Sequence, residues 1–206
     1  MKKNIARLLL DKQAVRLQIR EPFTFTSGLK SPIYCDNRKM LAFPKERDII
    51  TEAFAAGLQD KGFAVLAGTA TAGIPWAAFL ADRLALPMAY IRSKKKAHGT
   101  AKQIEGAKVQ GKKILLVEDL ISTGNSCITA LKACRREGAE QVEICSIFSY
   151  QFAKTFQNFT KAGCSWWSLT DFPTLLNVAR DYEMISEEEL KIAEQWRDDP
   201  ENWIVY

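Results

Sequence analysis

The densest chemistry in this chain lies in one short string, Ile114-Leu115-Leu116-Val117-Glu118-Asp119-Leu120-Ile121-Ser122-Thr123-Gly124-Asn125-Ser126. Two adjacent carboxylates stand at the mouth of an aliphatic run, and small polar residues then lead into a helix. Thr123 to Ser126 can present several backbone N–H groups to one anion at a helix N-terminus, where the macrodipole also favours negative charge. The hydroxyls of Ser122, Thr123 and Ser126 add donors, and each charge-assisted bond to a phosphate is worth about 1.5–3 kcal/mol. Gly124 lets the backbone approach closely, and Asn125 is of a type that tolerates positive φ. The loop suits a phosphate monoester. Glu118 and Asp119 would repel that phosphate, so they fit the hydroxyls of an attached sugar, or a metal near them. An ATP-type phosphate loop and a dinucleotide fingerprint are both absent. A bare helix cap behind two exposed acids is the bland alternative, and the whole string at a strand-to-helix switch argues against it.

Three further segments offer chemistry. Gly68-Thr69-Ala70-Thr71-Ala72-Gly73 joins a strand to a helix through small residues only, a backbone-lined concavity for an anion or simply a tight turn. From Arg92 to Lys113 there are eight Lys and Arg residues against one acid, Glu105, and the single histidine, His98, lies among them. An isolated Lys-Lys-Lys tract reads as a solvated charge run or a nucleic-acid contact; beside a phosphate cradle it can neutralise a diphosphate leaving group. Ser27–Asp36 holds Tyr34, which could pack on a planar base or on the core, and Lys30 and Arg38 are cations within reach of a substrate carboxylate.

These loops need a scaffold. Asn4–Asp11 reads as a helix, and extended segments are expected at Ala14–Arg20 and Ile33–Asn37 in an otherwise irregular opening. Pro44-Lys45-Glu46-Arg47 opens a helix. Strands are expected at Phe63–Ala67, Met88–Ile91, Ile114–Val117, Gln141–Ser149 and Ser165–Leu169. Helices are expected at Gly73–Leu84, Asn125–Glu137 and Phe152–Thr160, and Ser186-Glu187-Glu188-Glu189 is a capping box opening a last helix. Strands alternating with helices imply a mostly parallel sheet covered on both faces, with ligands beyond the carboxyl ends of the strands.

The acidic string, a strand followed by two acids, two apolar residues and S/T-T-G-x-S, is similar to the signature by which type I phosphoribosyltransferases bind 5-phosphoribosyl 1-diphosphate (PRPP). Phe23–Asp36, Gly68–Pro75 and Arg92–Gly99 narrow the likeness: they resemble the orotate phosphoribosyltransferase family, in the form found in Gram-positive bacteria. The resemblance implies an α/β type I phosphoribosyltransferase fold. Residues 1–206 would form a single domain, with a small N-terminal hood over about 1–43 and an α/β core over about 44–206. It implies conversion of orotate and PRPP to orotidine 5′-monophosphate and pyrophosphate, in de novo pyrimidine (UMP) biosynthesis. PRPP would be held by Arg92, Lys96, His98, Glu118, Asp119, Leu120, Ile121, Ser122, Thr123, Gly124, Asn125 and Ser126, with Lys96, His98 and Asp119 catalytic. Thr69, Ala70 and Thr71 would face the pyrophosphate, and Ser122 and Tyr34 the orotate. Mg²⁺ would be held through PRPP rather than by protein ligands. A homodimer would share the basic loop between subunits. Departures are visible: Ser93 stands where many relatives have Lys, Ala72 where some have Lys, and Tyr150-Gln151 where some have Arg. Rival readings are transfer to another base, or a PRPP-sensing nucleic-acid-binding regulator of the same fold.

Composition narrows the class. The chain has 206 residues, 47% hydrophobic and 26% charged, with a net charge of +5, which is ordinary for one globular domain. The apolar patch Leu8-Leu9-Leu10 is too short for a signal segment or a membrane span. The five cysteines are odd in number and contain no C-x-x-C pair, so a reducing, cytoplasmic setting is expected and a structural zinc site is not. The sequence contains no G-x-S-x-G and one histidine, so nothing supports a Ser-His-Asp triad.

Overall fold

A computed structural model describes residues 1–25, 28–93 and 102–204. The chain opens with helix α1 (Lys2–Asp11), short strands β1 (Val15–Leu17), β2 (Phe23–Thr24), β3 (Lys30–Ser31) and β4 (Ile33–Cys35), and a 3-10 turn at Asn37–Ala42. Strand and helix then alternate: α2 (Pro44–Ala56), β5 (Val65–Thr69), α3 (Gly73–Leu84), β6 (Met88–Ile91), β7 (Ile104–Gly106), β8 (Lys113–Ile121), α4 (Asn125–Arg136), β9 (Gln141–Ser149), α5 (Ala153–Ala162), β10 (Trp166–Asp171), α6 (Phe172–Asp181) and α7 (Glu187–Asp198). Six strands form the central sheet in the order β10-β9-β8-β5-β6-β7. All neighbours are parallel except β7, which runs antiparallel to β6 at the edge.

The aliphatic run of β8 explains the layering. Successive side chains of a strand point to opposite faces. Leu115 and Val117 enter one core with Trp76, Leu80 and Ile147. Ile114 and Leu116 enter the other with Leu131, Ile144 and Phe159. A strand covered on both sides has no need of a polar alternation.

Three expectations change. The opening segment is not irregular: β1 pairs with β4 and β2 with β3, both antiparallel. The strand expected at Ile114–Val117 runs on to Ile121, because its ladder with β9 continues to Ile121↔Ser149 and backbone pairing overrides two carboxylates. Helix α6 escaped notice although its start carries a cap: the Asp171 carboxylate accepts from the Thr174 N–H at 2.9 Å, with proline in the first turn. The capping box of α7 forms as read, with Ser186 and Glu189 exchanging hydrogen bonds. All five cysteines are free thiols, and Cys127, Cys134 and Cys145 are buried.

Candidate active site

The acidic pair sits inside the last turns of β8, not in the loop after it. Glu118 is 6% exposed. Its carboxylate accepts from the Asp119 N–H at 3.2 Å and from the Ser126 hydroxyl at 3.3 Å. Burial, then the neighbouring Asp119 charge, pushes the Glu118 carboxyl up to about 8. Burial also raises Asp119, against which the Glu118 hydrogen bond and the Arg38 charge pull downward. Two adjacent carboxyls in a poorly solvated place cannot both ionise easily, so the pair holds a proton near neutral pH.

Ser122 to Gly124 turn the chain into α4. Gly124 takes φ +80° and is the N-cap, and no side chain caps the helix. The first-turn amides therefore remain available to an anion. Asn125 is already helical and does not use positive φ. The outer side of the turn is braced by α5, an arrangement sequence reading missed: the Thr155 hydroxyl donates to the Ser122 carbonyl, and the Asn158 amide donates to the Thr123 carbonyl at 2.9 Å. The signal was an amphipathic helix bearing Thr and Asn among its polar positions, but their targets lie over thirty residues away.

The loop from β5 into α3 lies against this strand end. A Cβ at Gly73 would collide with the Val117 carbonyl, so only glycine permits the approach. The Ala70–Thr71 peptide is cis. The Thr69 hydroxyl is buried with no hydrogen-bond partner among the described residues. Thr69, Ala70, Arg92, Asn125 and Ser126 line a cavity of about 220 Å³; Thr71 stands outside it. Arg92 is doubly anchored: its N–H donates to the Gln103 carbonyl, and the Gln103 amide donates to the Arg92 carbonyl, both at 2.9 Å. The Arg136 guanidinium in turn holds the Gln103 side-chain oxygen at 2.8 Å. The basic stretch between these anchors, with Lys96 and His98, lies outside the described residues.

A second cavity, about 600 Å³, opens on the other side of the phosphate-type loop. Ser122, Thr123 and Asn125 form one wall, Phe25, Leu29 and Lys30 another, Tyr150, Phe152 and Lys154 a third, and Trp196 with the charged stretch 197–201 the last. Asn125 lines both cavities, so they meet at this loop. Tyr34 is not among the lining residues; it packs on Phe23 at 5.6 Å beneath the Arg16 guanidinium. Arg38 is engaged with Asp36 at 2.6 Å, and the Lys30 ammonium donates to the Thr24 hydroxyl at 2.8 Å. Tyr150 and Trp196 were not foreseen as site residues. Their rings lie 5.5 Å apart, edge to face, and each also packs on Phe152. Among the described residues no cluster of three or more His, Cys, Asp and Glu side chains could hold a metal ion. A divalent cation here would draw its oxygens mainly from a phosphorylated ligand, which suits a site with only two adjacent carboxylates.

Comparison with known proteins agrees with this layout. Residues 39–160 match the family model described as a phosphoribosyl transferase domain. The chain is 47% identical to an orotate phosphoribosyltransferase of Enterococcus faecalis over 203 residues, covering 98% of this chain and 97% of that one. It is 48% identical over 213 positions to the orotate phosphoribosyltransferase of Bacillus cytotoxicus, with both chains covered completely. The crystal structure of orotate phosphoribosyltransferase from Aeropyrum pernix superposes with a TM-score of 0.74 at 25% identity, over 88% of this chain and 99% of that one. With an acidic pair, an uncapped helix start and two cavities on a shared parallel sheet, this chain belongs to the phosphoribosyltransferase family and, within it, to the orotate phosphoribosyltransferases.

Proposed function

We propose that this site transfers the 5-phosphoribosyl group of PRPP to orotate, giving orotidine 5′-monophosphate and pyrophosphate on the de novo route to UMP. The observation that carries the reading is the placement of Glu118 and Asp119 at the end of the strand that feeds the uncapped start of α4, whose Asn125 lines both cavities. In this reading the amides and hydroxyls of Ser122 to Ser126 hold the 5′-phosphate. Glu118 and Asp119 accept from the ribose hydroxyls. The diphosphate lies in the smaller cavity against Thr69, Ala70 and Arg92, with Thr71 next in the chain but outside the cavity. The base enters the larger cavity, where Ser122 offers a hydroxyl and Lys30 and Lys154 offer charge to its carboxylate. Tyr34 acts there through the aromatic packing of the hood.

Glycosyl transfer of this kind needs no protein nucleophile. Positive charge develops on the sugar as the diphosphate leaves, and two carboxyls holding its hydroxyls become more favourable as it does so. The proton that the acidic pair holds near neutral pH lets a sugar with a nearby diphosphate enter without the full repulsion of two anions. Mg²⁺, carried in by the diphosphate, would neutralise it and ease its departure. Lys96 and His98 are assigned to the leaving group, supplied by the partner subunit of a homodimer, with closure excluding water. The chain is proposed to act as a single domain with an N-terminal hood in the cytoplasm; free cysteines accord with that setting.

Purified protein given PRPP and Mg²⁺ should consume orotate, followed by its absorbance, and leave uracil and purine bases untouched. Asp119→Ala should lower kcat about 10²–10³-fold, the scale for one lost transition-state contact. Near-normal turnover in that variant would refute the assignment. Inactive Lys96→Ala and Asp119→Ala chains, once mixed, should recover part of the activity. No recovery despite proven subunit exchange argues for sites built within one chain.

A further inference from the structure

We propose that Asn37 is a positioning residue for Asp119: from the N-terminal segment, its side-chain amide grips the backbone of the catalytic strand end. The inference rests on the reading above in which Asp119 acts on the ribose.

Asn37 is 0% exposed and opens the 3-10 turn that follows β4. Its Nδ2 donates to the Asp119 carbonyl at 2.8 Å. Its Oδ1 is buried and has no hydrogen-bond partner among the described residues, and the side chain also meets the Cys35 thiol. For stability alone this is a poor arrangement. An unpartnered buried carbonyl costs more than a single amide hydrogen bond returns, and an apolar side chain of the same size would avoid that cost. The amide therefore calls for a reason other than packing.

Sheet topology supplies one. The ladder between β5 and β8 ends at Gly68↔Val117, whereas β8 continues to Ile121. On its other edge β8 stays paired with β9 at Glu118, Leu120 and Ile121. Asp119 thus lies past the end of β5, where one edge of the strand has lost its neighbour. Asn37 provides a donor at that point. Among the described residues this is the one hydrogen bond joining residues 14–43 to residues 113–126. The same turn meets Asp119 a second time, because the charge of Arg38 pulls the Asp119 carboxyl downward. A hold on that carbonyl steadies the backbone from which the Asp119 carboxylate projects. It also links the segment carrying Tyr34 and Lys30 to the sugar-binding pair.

The experiment is a double-mutant cycle in kcat per folded site, with Asn37→Leu, Asp119→Ala and the double variant, and melting temperature read alongside. Asn37→Leu should fold, change the melting temperature little and lower kcat about 10-fold, as expected for one lost hydrogen bond acting in the transition state. In the Asp119→Ala background the same substitution should cost less than about 2-fold, since there is no carboxylate left to aim. If the leucine variant does not fold, Asn37→Ala removes the same donor without steric demand and is read in the same cycle. Wild-type kcat in a folded Asn37 variant, or an equal fold-loss added to Asp119→Ala, overturns the tether alone. Near-normal kcat in Asp119→Ala overturns the role of Asp119, and the tether with it.

Discussion

The phosphate-type loop and the larger cavity beside it are built in opposite ways. The loop proposed for the sugar phosphate is made from contiguous chain: β8, the turn at Ser122–Gly124 and the start of α4. Core packing holds it from beneath, with Val117, Ile121 and Cys127 buried. The larger cavity, proposed for the base, has walls from four separated stretches, near residues 25–30, 122–125, 150–154 and 196–201. Those stretches are tied to each other by contacts between distant parts of the chain, such as the Trp196 indole N–H donating to the Lys30 carbonyl at 3.2 Å. A site made of one segment inherits the rigidity of the sheet. A site assembled from distant segments depends on the contacts that bring them together.

The contiguous side should therefore break under the smallest intrusion. A methyl group at Gly73 meets the Val117 carbonyl and stands 3.2 Å from the Glu118 Cα, both backbone positions that cannot swing aside. Gly73→Ala should destabilise the protein by about 3 kcal/mol, the upper end for overpacking, which is roughly a 6–12 °C lower melting temperature for a chain of this size. Ribose 5-phosphate binding should weaken as well, because the displaced carbonyl adjoins the acidic pair. A melting temperature within a degree of wild type would show that this strand end yields, and the contrast between the two sides would lose its basis.

Legibility followed the same division. The acidic string, the basic tract and the small-residue loop could be read because each is local: a few neighbouring residues whose chemistry is complete in one stretch. The helix start at Asn125 and the strands β6 and β9 fell where residue type and periodicity put them. What escaped had its cause elsewhere in the chain. Nothing near Thr155 or Asn158 reveals that they brace Ser122 and Thr123. Nothing near Trp196 reveals that it faces Lys30. The extension of β8 through Glu118 and Asp119 is dictated by its pairing with β9, and local polarity pointed the other way. Tyr34 illustrates the limit: an aromatic in the expected segment, yet packed on Phe23 and Arg16 while Tyr150 lines the cavity.

Burial on the rigid side also leaves a pH signature. The folded Glu118 carboxyl is raised to about 8, whereas an unfolded glutamate titrates near 4.3. Between those values the folded state keeps a proton that the unfolded chain has released. The associated stability is full below the unfolded value and is lost as pH rises through about 8. The lowered carboxyls Asp36 and Asp171 act only in acid, so they leave this window to the acidic pair. Melting temperature should fall steadily as pH rises from about 5.5 towards about 8.5. Glu118→Gln should flatten that slope. An unchanged slope in the glutamine variant would place the proton on some other group.

The assembled side should respond more gently and to one ligand only. Trp196→Phe keeps an aromatic ring against Tyr150, Phe152 and Phe172 but removes the N–H that reaches the Lys30 carbonyl. Lys30 is exposed, so its freed carbonyl can turn to water and no buried group is orphaned. The loss is then one neutral hydrogen bond, about 0.5–1.5 kcal/mol, or roughly a 2- to 12-fold rise in the KM for orotate. Ribose 5-phosphate, held by the contiguous loop, should bind as before. A parallel loss of affinity for both ligands would mean that α7 supports the phosphate loop too, and that the two halves of the site are mechanically one.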